Sequence, residues 1–248
     1  MRMIIRLLPL LMLLSHNSIT YAGFAISSNR VIYNESEREH SLILANINEY
    51  PIVAQTWVDN GAGYPDQSKA PFVVLPAVFK MNPKGIQAIR IIHNGNTMPQ
   101  DRESVFWLNL YEIPGKTQQQ LNLSEESRAR LDLAMNTQLK VFYRPKSLKP
   151  MDVEQISEKI EFSIKEMNDN KVLVCNNPTP YHLSFINIVL KQKDKNFKTS
   201  NQVGLMVEPF SEKIYELDSA PRLLYSYQVN FTLIDDQGYT FDGLFLSK

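Results

Sequence analysis

The sequence predicts an all-β chain folded as two immunoglobulin-like β-sandwiches, and three observations carry that expectation. Short runs rich in Val, Ile, Leu, Phe, Tyr and Trp recur from about residue 24 to residue 246, separated by clusters of Asn, Gly, Pro and Asp. Apart from the first residues, only "SEESRARLDLAM" (124–135) has the composition of a helix, and it reads as a loop running into a strand. Finally, "RPKSLKPMDVEQ" carries two prolines, three basic residues and no apolar periodicity, the marks of a linker at about 145–153.

Taken in order, the chain begins with "MRMIIRLLPLLMLLSHNSITYA": Arg2 and Arg6, an apolar run from Leu7 to Leu14, then a polar stretch ending in Ala22. This is the layout of a secretory signal peptide, too short in its apolar part to span a bilayer, with cleavage expected near Ala22. The expected strands that follow are 24–33, 40–47, 52–58, 72–76, 85–92, 104–113 and 130–143. Between them lie "NESERE", "NGAGYPDQSKAP", "NPKG" and "HNGNTMPQD", the chemistry of turns. Beyond the linker the pattern resumes at 159–166, 171–177, 181–191, 203–209, 212–217, 223–235 and 240–246. The organisation expected is a signal at 1–22, a first sandwich at 23–145 and a second at 146–248.

One of these strands is unusual. From Arg130 to Arg144 the odd positions are Leu131, Leu133, Met135, Thr137, Leu139, Val141 and Tyr143. The even ones are mostly polar, with Phe142 the exception. Alternation of this kind marks a half-buried strand, here far longer than the usual 5–6 or so residues.

Composition excludes several functions. Without Arg2 and Arg6 the chain carries 24 basic against 26 acidic side chains, a formal charge of about −2, which gives no support to nucleic-acid or anionic-membrane binding. The lone Cys175 cannot form an internal disulfide and reads as a buried strand residue. His16, His40, His93 and His182 are isolated, with no metal-ligand spacing, and no G-x-S-x-G, Walker or G-x-G-x-x-G motif is present. Neither enzyme chemistry nor a cofactor is expected, and binding becomes the default role.

At "MPQDRESVFWLNLYEIP" (98–114) the chain resembles the periplasmic pilus chaperones of the PapD-like family. Pro99, Asp101, Arg102, Glu103, Ser104, Trp107, Asn109, Leu110, Ile113 and Pro114 all fall in the motif, and Gly115 is a mild departure. "NRVIY" (29–33), "AQTWVDN" (54–60), "KVFYRP" (140–145) and "NNPTPYHLSF" (176–185) extend the likeness over essentially the whole mature chain.

The resemblance implies two sandwiches set in an L, or boomerang, around an interdomain cleft. It also implies a function: a pilus or fimbrial subunit lacks its final strand, and the chaperone lends one, then hands the subunit to an outer-membrane usher. Leu131, Leu133 and Met135 match the donor positions, Arg30 and Lys140 the pair that binds the subunit's C-terminal carboxylate, and Glu103, Arg144 and Asp236 an ionic network orienting the domains. Asp235 stands one residue from Asp236 and is the competitor for that role. Residues 115–129, without cysteines, resemble the short-loop group associated with rod-like pili and are expected to be mobile in the free protein. The exposed donor edge would also let two free molecules cap one another as a dimer. The competing reading is a structural or adhesive exported protein, such as a pilus subunit itself. Subunits usually hold a disulfide and an N-terminal donor extension, the reverse of what this chain shows.

Overall fold

The computed structural model describes residues 23–65, 69–115, 133–167, 170–193, 195–200, 204–219 and 226–247. The fold is all-β, as expected. The first sandwich packs a four-stranded sheet against a five-stranded one. The four-stranded sheet runs β1 (Phe24–Ile26), β3 (His40–Asn46), β7 (Ile86–His93), β5 (Phe72–Leu75). The five-stranded sheet runs β2 (Arg30–Asn34), β9 (Met135–Arg144), β8 (Ser104–Pro114), β4 (Ile52–Asp59), β6 (Val78–Met81).

A capped turn of helix, α1 (Val153–Ser157), leads into the second sandwich. Its sheets are β10 (Glu161–Met167), β11 (Asn170–Asn177), β14 (Ser211–Glu216) and β13 (Lys195–Lys198), β12 (Phe185–Gln192), β15 (Gln228–Ile234), β16 (Thr240–Leu246).

Alternation does the folding. In β3, Leu42 and Leu44 point inward while Ser41 and Ile43 face out, and Ile89 and Ile91 answer them from β7. Leu108, Leu110 and Val141 close the same core from the facing sheet. Each such side chain contributes roughly 1.5–3 kcal/mol when buried. The second core is built around Phe162, Phe185 and Phe231. Phe231 lies over Gly243 so closely that a Cβ there would collide with the ring, which is why β16 carries glycine at that point. Cys175 is buried on β11, and burial pushes its thiol pKa far up, so it behaves as a small apolar residue.

Several expectations need correction. The single strand expected at 24–33 is two strands, β1 and β2, which belong to opposite sheets. β9 begins at Met135, not at residue 130. Its ladder with β8 starts at Glu112↔Met135, and Leu133 and Ala134 have no strand beside them among the described residues. Residues 116–132, which hold Leu131, the loop expected to be mobile and most of the helix-like segment, lie outside the described residues. The strand expected at 203–209 is, where described, a single bridge, Leu183↔Val207. β6, β13 and α1 were not anticipated. Four or five residues are too few to display a period. The sequence signal for α1 is its capping box, Asp152 accepting from Gln155 N while Gln155 reaches back to the Asp152 backbone. Among the described residues no helix is long and apolar enough to cross a membrane.

Candidate functional site

The site grows from β9. This strand has β8 on one side from Met135 to Tyr143, but β2 covers the other side only from Lys140 to Arg144, pairing in parallel as Arg30↔Lys140 through Asn34↔Arg144. Residues 135–139 therefore present an open edge among the described residues. Leu133 (65% exposed) and Met135 (47%) stand out at its beginning. At the other end, where the open edge meets β2, sit Arg30 and Lys140.

These two cations are register neighbours, and neither is paired with a carboxylate among the described residues. The Arg30 side chain is nearly buried, 8% exposed. One Nη1–H donates to the Ile234 carbonyl at 3.1 Å, while the buried Nε–H has no partner among the described residues. Its guanidinium lies 5.7 Å from the Phe142 ring centroid. Burial pulls the Arg30 pKa down, with Asp236, Asp235 and Glu103 opposing at longer range. Lys140 is half-buried, and its pKa is also lowered, first by burial and then by the charges of Arg30 and of Lys213 from the second sandwich. Two partly desolvated cations with a spare donor form an electrostatic vacancy that an anion would fill.

Four residues further along β9 the situation is reversed. Arg144 makes a bidentate pair with Asp236, Nη1 to Oδ2 at 2.5 Å and Nη2 to Oδ1 at 2.7 Å, and its Nε donates to Glu103 Oε1 at 2.9 Å. The guanidinium covers the Tyr181 ring at 4.9 Å. Burial works against the Arg144 charge, but the bonds and charges of Asp236 and Glu103 outweigh it and raise its pKa. Asp236 is thus the network member; Asp235 instead accepts from Tyr239 N in the following turn.

The network has a member that sequence reasoning missed. His182, buried, sits with Nδ1 2.8 Å from Glu103 Oε2 and donates its backbone N–H to the same oxygen at 2.9 Å. It also packs on Phe142, 5.6 Å between rings. Nothing near an isolated histidine in sequence signals this. Phe142 did leave a trace: the one apolar residue on the polar face of β9 is covered by the second sandwich. Asn29 Nδ2 donating to Gly238 O and Glu103 N donating to Pro180 O add to the contact between sandwiches. A cleft of about 580 Å³ lies between them, lined by Arg30, Glu103, Phe142, Arg144, His182 and Asp236 among others. Lys140 does not line it.

So the structure brings together Arg30 with Lys140, and Glu103 with Arg144 and Asp236. It places Met135 at the start of the open edge and Leu133 exposed just before it. A half-open edge strand beside a cation pair with no carboxylate partner among the described residues, on two sandwiches held by ionic bonds, is a surface suited to an extended, anionic chain. Comparison with known sequences gives the class. The N-terminal domain described as "Pili and flagellar-assembly chaperone, PapD N-terminal domain" matches residues 23–149, and "Pili assembly chaperone PapD, C-terminal domain" matches residues 155–243. The chain belongs to the PapD family of pilus-assembly chaperones.

Among its relatives, the chaperone protein LpfB of Salmonella typhimurium is 38% identical over 178 residues, covering 71% of this chain and 70% of the relative. The fimbrial chaperone YadV of Escherichia coli K12 is 31% identical over 234 residues, 93% and 92% of the two chains. The crystal structure of the YadV chaperone superposes with a TM-score of 0.75 at 29% identity, covering 90% of this chain and 99% of that one. The CupB2 chaperone of Pseudomonas aeruginosa gives 0.72, also at 29% identity, covering 90% of this chain and all of the other. The protein is a fimbrial chaperone, and the alternative of a pilus subunit is set aside.

Proposed function

We propose that this chaperone acts in the periplasm after removal of residues 1–22, with a first domain at 23–145 and a second at 146–248. It captures pilus or fimbrial subunits by adding residues 131–139 to their incomplete sandwich. The single observation that carries this reading is the cation pair, without a carboxylate partner among the described residues, at the closed end of a half-open edge strand.

Arg30 and Lys140 hold the subunit's C-terminal carboxylate. With that carboxylate fixed at Lys140, the subunit's terminal strand lies along the open edge, entering at the Met135 end and ending at Lys140, parallel to β9. It then takes the place next to β9 that β2 takes further on. Backbone bonds supply affinity, and Leu131, Leu133 and Met135 fill the subunit's groove at alternate positions. The anchor sets register, because a slip of one residue would turn every donor side chain to the wrong face.

Glu103, Arg144 and Asp236, with His182, fix the angle at which the second domain backs the anchor. No cofactor or catalysis is involved. The energy is that of completing the subunit's core. An outer-membrane usher receives the complex, and free molecules cap their open edges by dimerising.

The test is co-expression of the tagged chaperone, wild type and Leu133→Glu, with a pilus subunit from the same source. Wild type should recover the subunit. Leu133→Glu should bury an unpaired charge in the groove and weaken capture by on the order of several kcal/mol. Equal recovery by both would remove the donor-strand assignment.

A further inference from the structure

Gly23 sits in a polar nest remote from the carboxylate anchor. Its backbone N–H donates to Asn48 Oδ1 at 3.0 Å, and its carbonyl accepts from Ile47 N at 3.3 Å. Its φ of +115° lies in the region that favours glycine. Asn48, 2% exposed, is rigidly held: its backbone N–H and one Nδ2 hydrogen donate to Asn46 Oδ1 at 3.0 and 2.9 Å. The other Nδ2 hydrogen goes to Glu112 Oε1 at 2.8 Å. Asn46 in turn donates to the carbonyls of Tyr50 and Asn82.

This chain of bonds ends in a carboxylate with no cation beside it among the described residues. Glu112 is 3% exposed, and Asn48 is its one described hydrogen-bond partner. Its second oxygen, Oε2, lies 3.7 Å from the point a Cβ of Gly23 would occupy. Burial raises its pKa, with the Asn48 bond opposing, and no positive charge among the described residues contributes. A buried carboxylate of this kind is costly unless something pairs with it.

We propose that cleavage between Ala22 and Gly23 supplies the missing cation: the new α-ammonium keeps its bond to Asn48 and forms a charge-assisted pair with Glu112. The inference rests on reading residues 1–22 as an export signal. In the cleavage a peptidase adds water across the Ala22–Gly23 bond. The hydroxyl goes to the Ala22 carbonyl carbon and a hydrogen to Gly23 N, and the freed amine takes a proton from solvent. One neutral N–H donor becomes three charged ones at the mouth of the nest. The consequence reaches the donor strand, because Glu112 is the register partner of Met135, whose Cε lies 3.8 Å from the same Cβ point on Gly23. The first ladder pair of β9 is thus tied down fully only in the processed chain.

The experiment compares a chain beginning at Gly23, released from a fusion that leaves no extra residue, with one beginning at Tyr21. Each is made with Glu112 and with Glu112→Gln. In the Gly23 chain the α-amine, followed by NMR on labelled glycine, should titrate about one unit above the usual value of roughly 7.7–8.0, and return to it in Glu112→Gln. The sign follows: a raised amine pKa adds stability that is complete below the unfolded value and lost as pH rises through the folded one. Near neutral pH the two-residue extension should lower the melting temperature by on the order of 4 °C with Glu112 and much less with Glu112→Gln.

An ordinary amine pKa in both backgrounds, or the same melting loss in both, overturns the proposal. Should Glu112→Gln fail to fold, the amine pKa and the two wild-type chains still decide it. Intact mass of the exported protein should give a start at Gly23. A different processed start overturns the pair while leaving the chaperone reading in place, and retention of residues 1–22 overturns both.

Discussion

Lys140 and Arg144 stand four residues apart on one face of β9, and the fold treats them in opposite ways. Arg144 is closed by two carboxylates and stacked on a tyrosine, and its charge is reinforced. Lys140 has two further cations within electrostatic reach and no carboxylate partner among the described residues, and its charge is weakened. Proximity to charge alone does not define a binding site. The satisfied cluster joins the two sandwiches, whereas in the function proposed above the other is left for an anion that a partner brings.

That contrast can be broken most forcefully at the joint. Arg144→Ala leaves Glu103 and Asp236 without their shared cation and should cost about 3–5 kcal/mol, read as a lowered calorimetric melt. An unchanged melt would mean the network does not hold the domains. Lys140→Met should do the reverse: capture of a subunit falls by on the order of 10- to 100-fold, as for loss of a hydrogen bond to a charged group, with no loss of melting temperature. A destabilisation like that of Arg144→Ala would erase the distinction between the two sites.

His182→Leu sharpens the comparison at lower cost. Glu103 keeps Arg144 and the backbone N–H of residue 182, so a loss of about 1 kcal/mol is expected from denaturant unfolding. Smallest is a pH effect. Because the folded Lys140 pKa lies below its ordinary value of 10.5, wild-type stability should rise with pH through the window just under 10.5. Lys140→Met should lack that rise, as a comparison of melts over that range will show.

Much of this was legible in the sequence, for physical reasons that can be named. β3, β4, β7 and β8 run seven to eleven residues, long enough for a period of two to show through most of each. β6 and β13, four residues each, are not. The split of 24–33 into β1 and β2 depends on which sheet each half joins, a tertiary choice that no local pattern records. Alternation puts Lys140 on the outer face of β9. Only the family motif pointed to Arg30 as its neighbour, since parallel pairing joins residues 110 positions apart. His182 and the Gly23–Asn48–Glu112 nest were invisible for the same reason: their partners come from distant segments, and single polar residues carry no periodic signal.

The central claim is that Arg30 and Lys140 await a C-terminal carboxylate, and one measurement addresses it directly. A synthetic peptide with the sequence of a pilus subunit's last strand is titrated against the mature chaperone, once as the free acid and once as the C-terminal amide. The acid should bind wild type at least about tenfold more tightly than the amide, a difference of roughly 1.4 kcal/mol, and Lys140→Met should no longer tell them apart. Equal affinity of wild type for acid and amide would contradict the account, because the cation pair would then hold something other than the end of the chain.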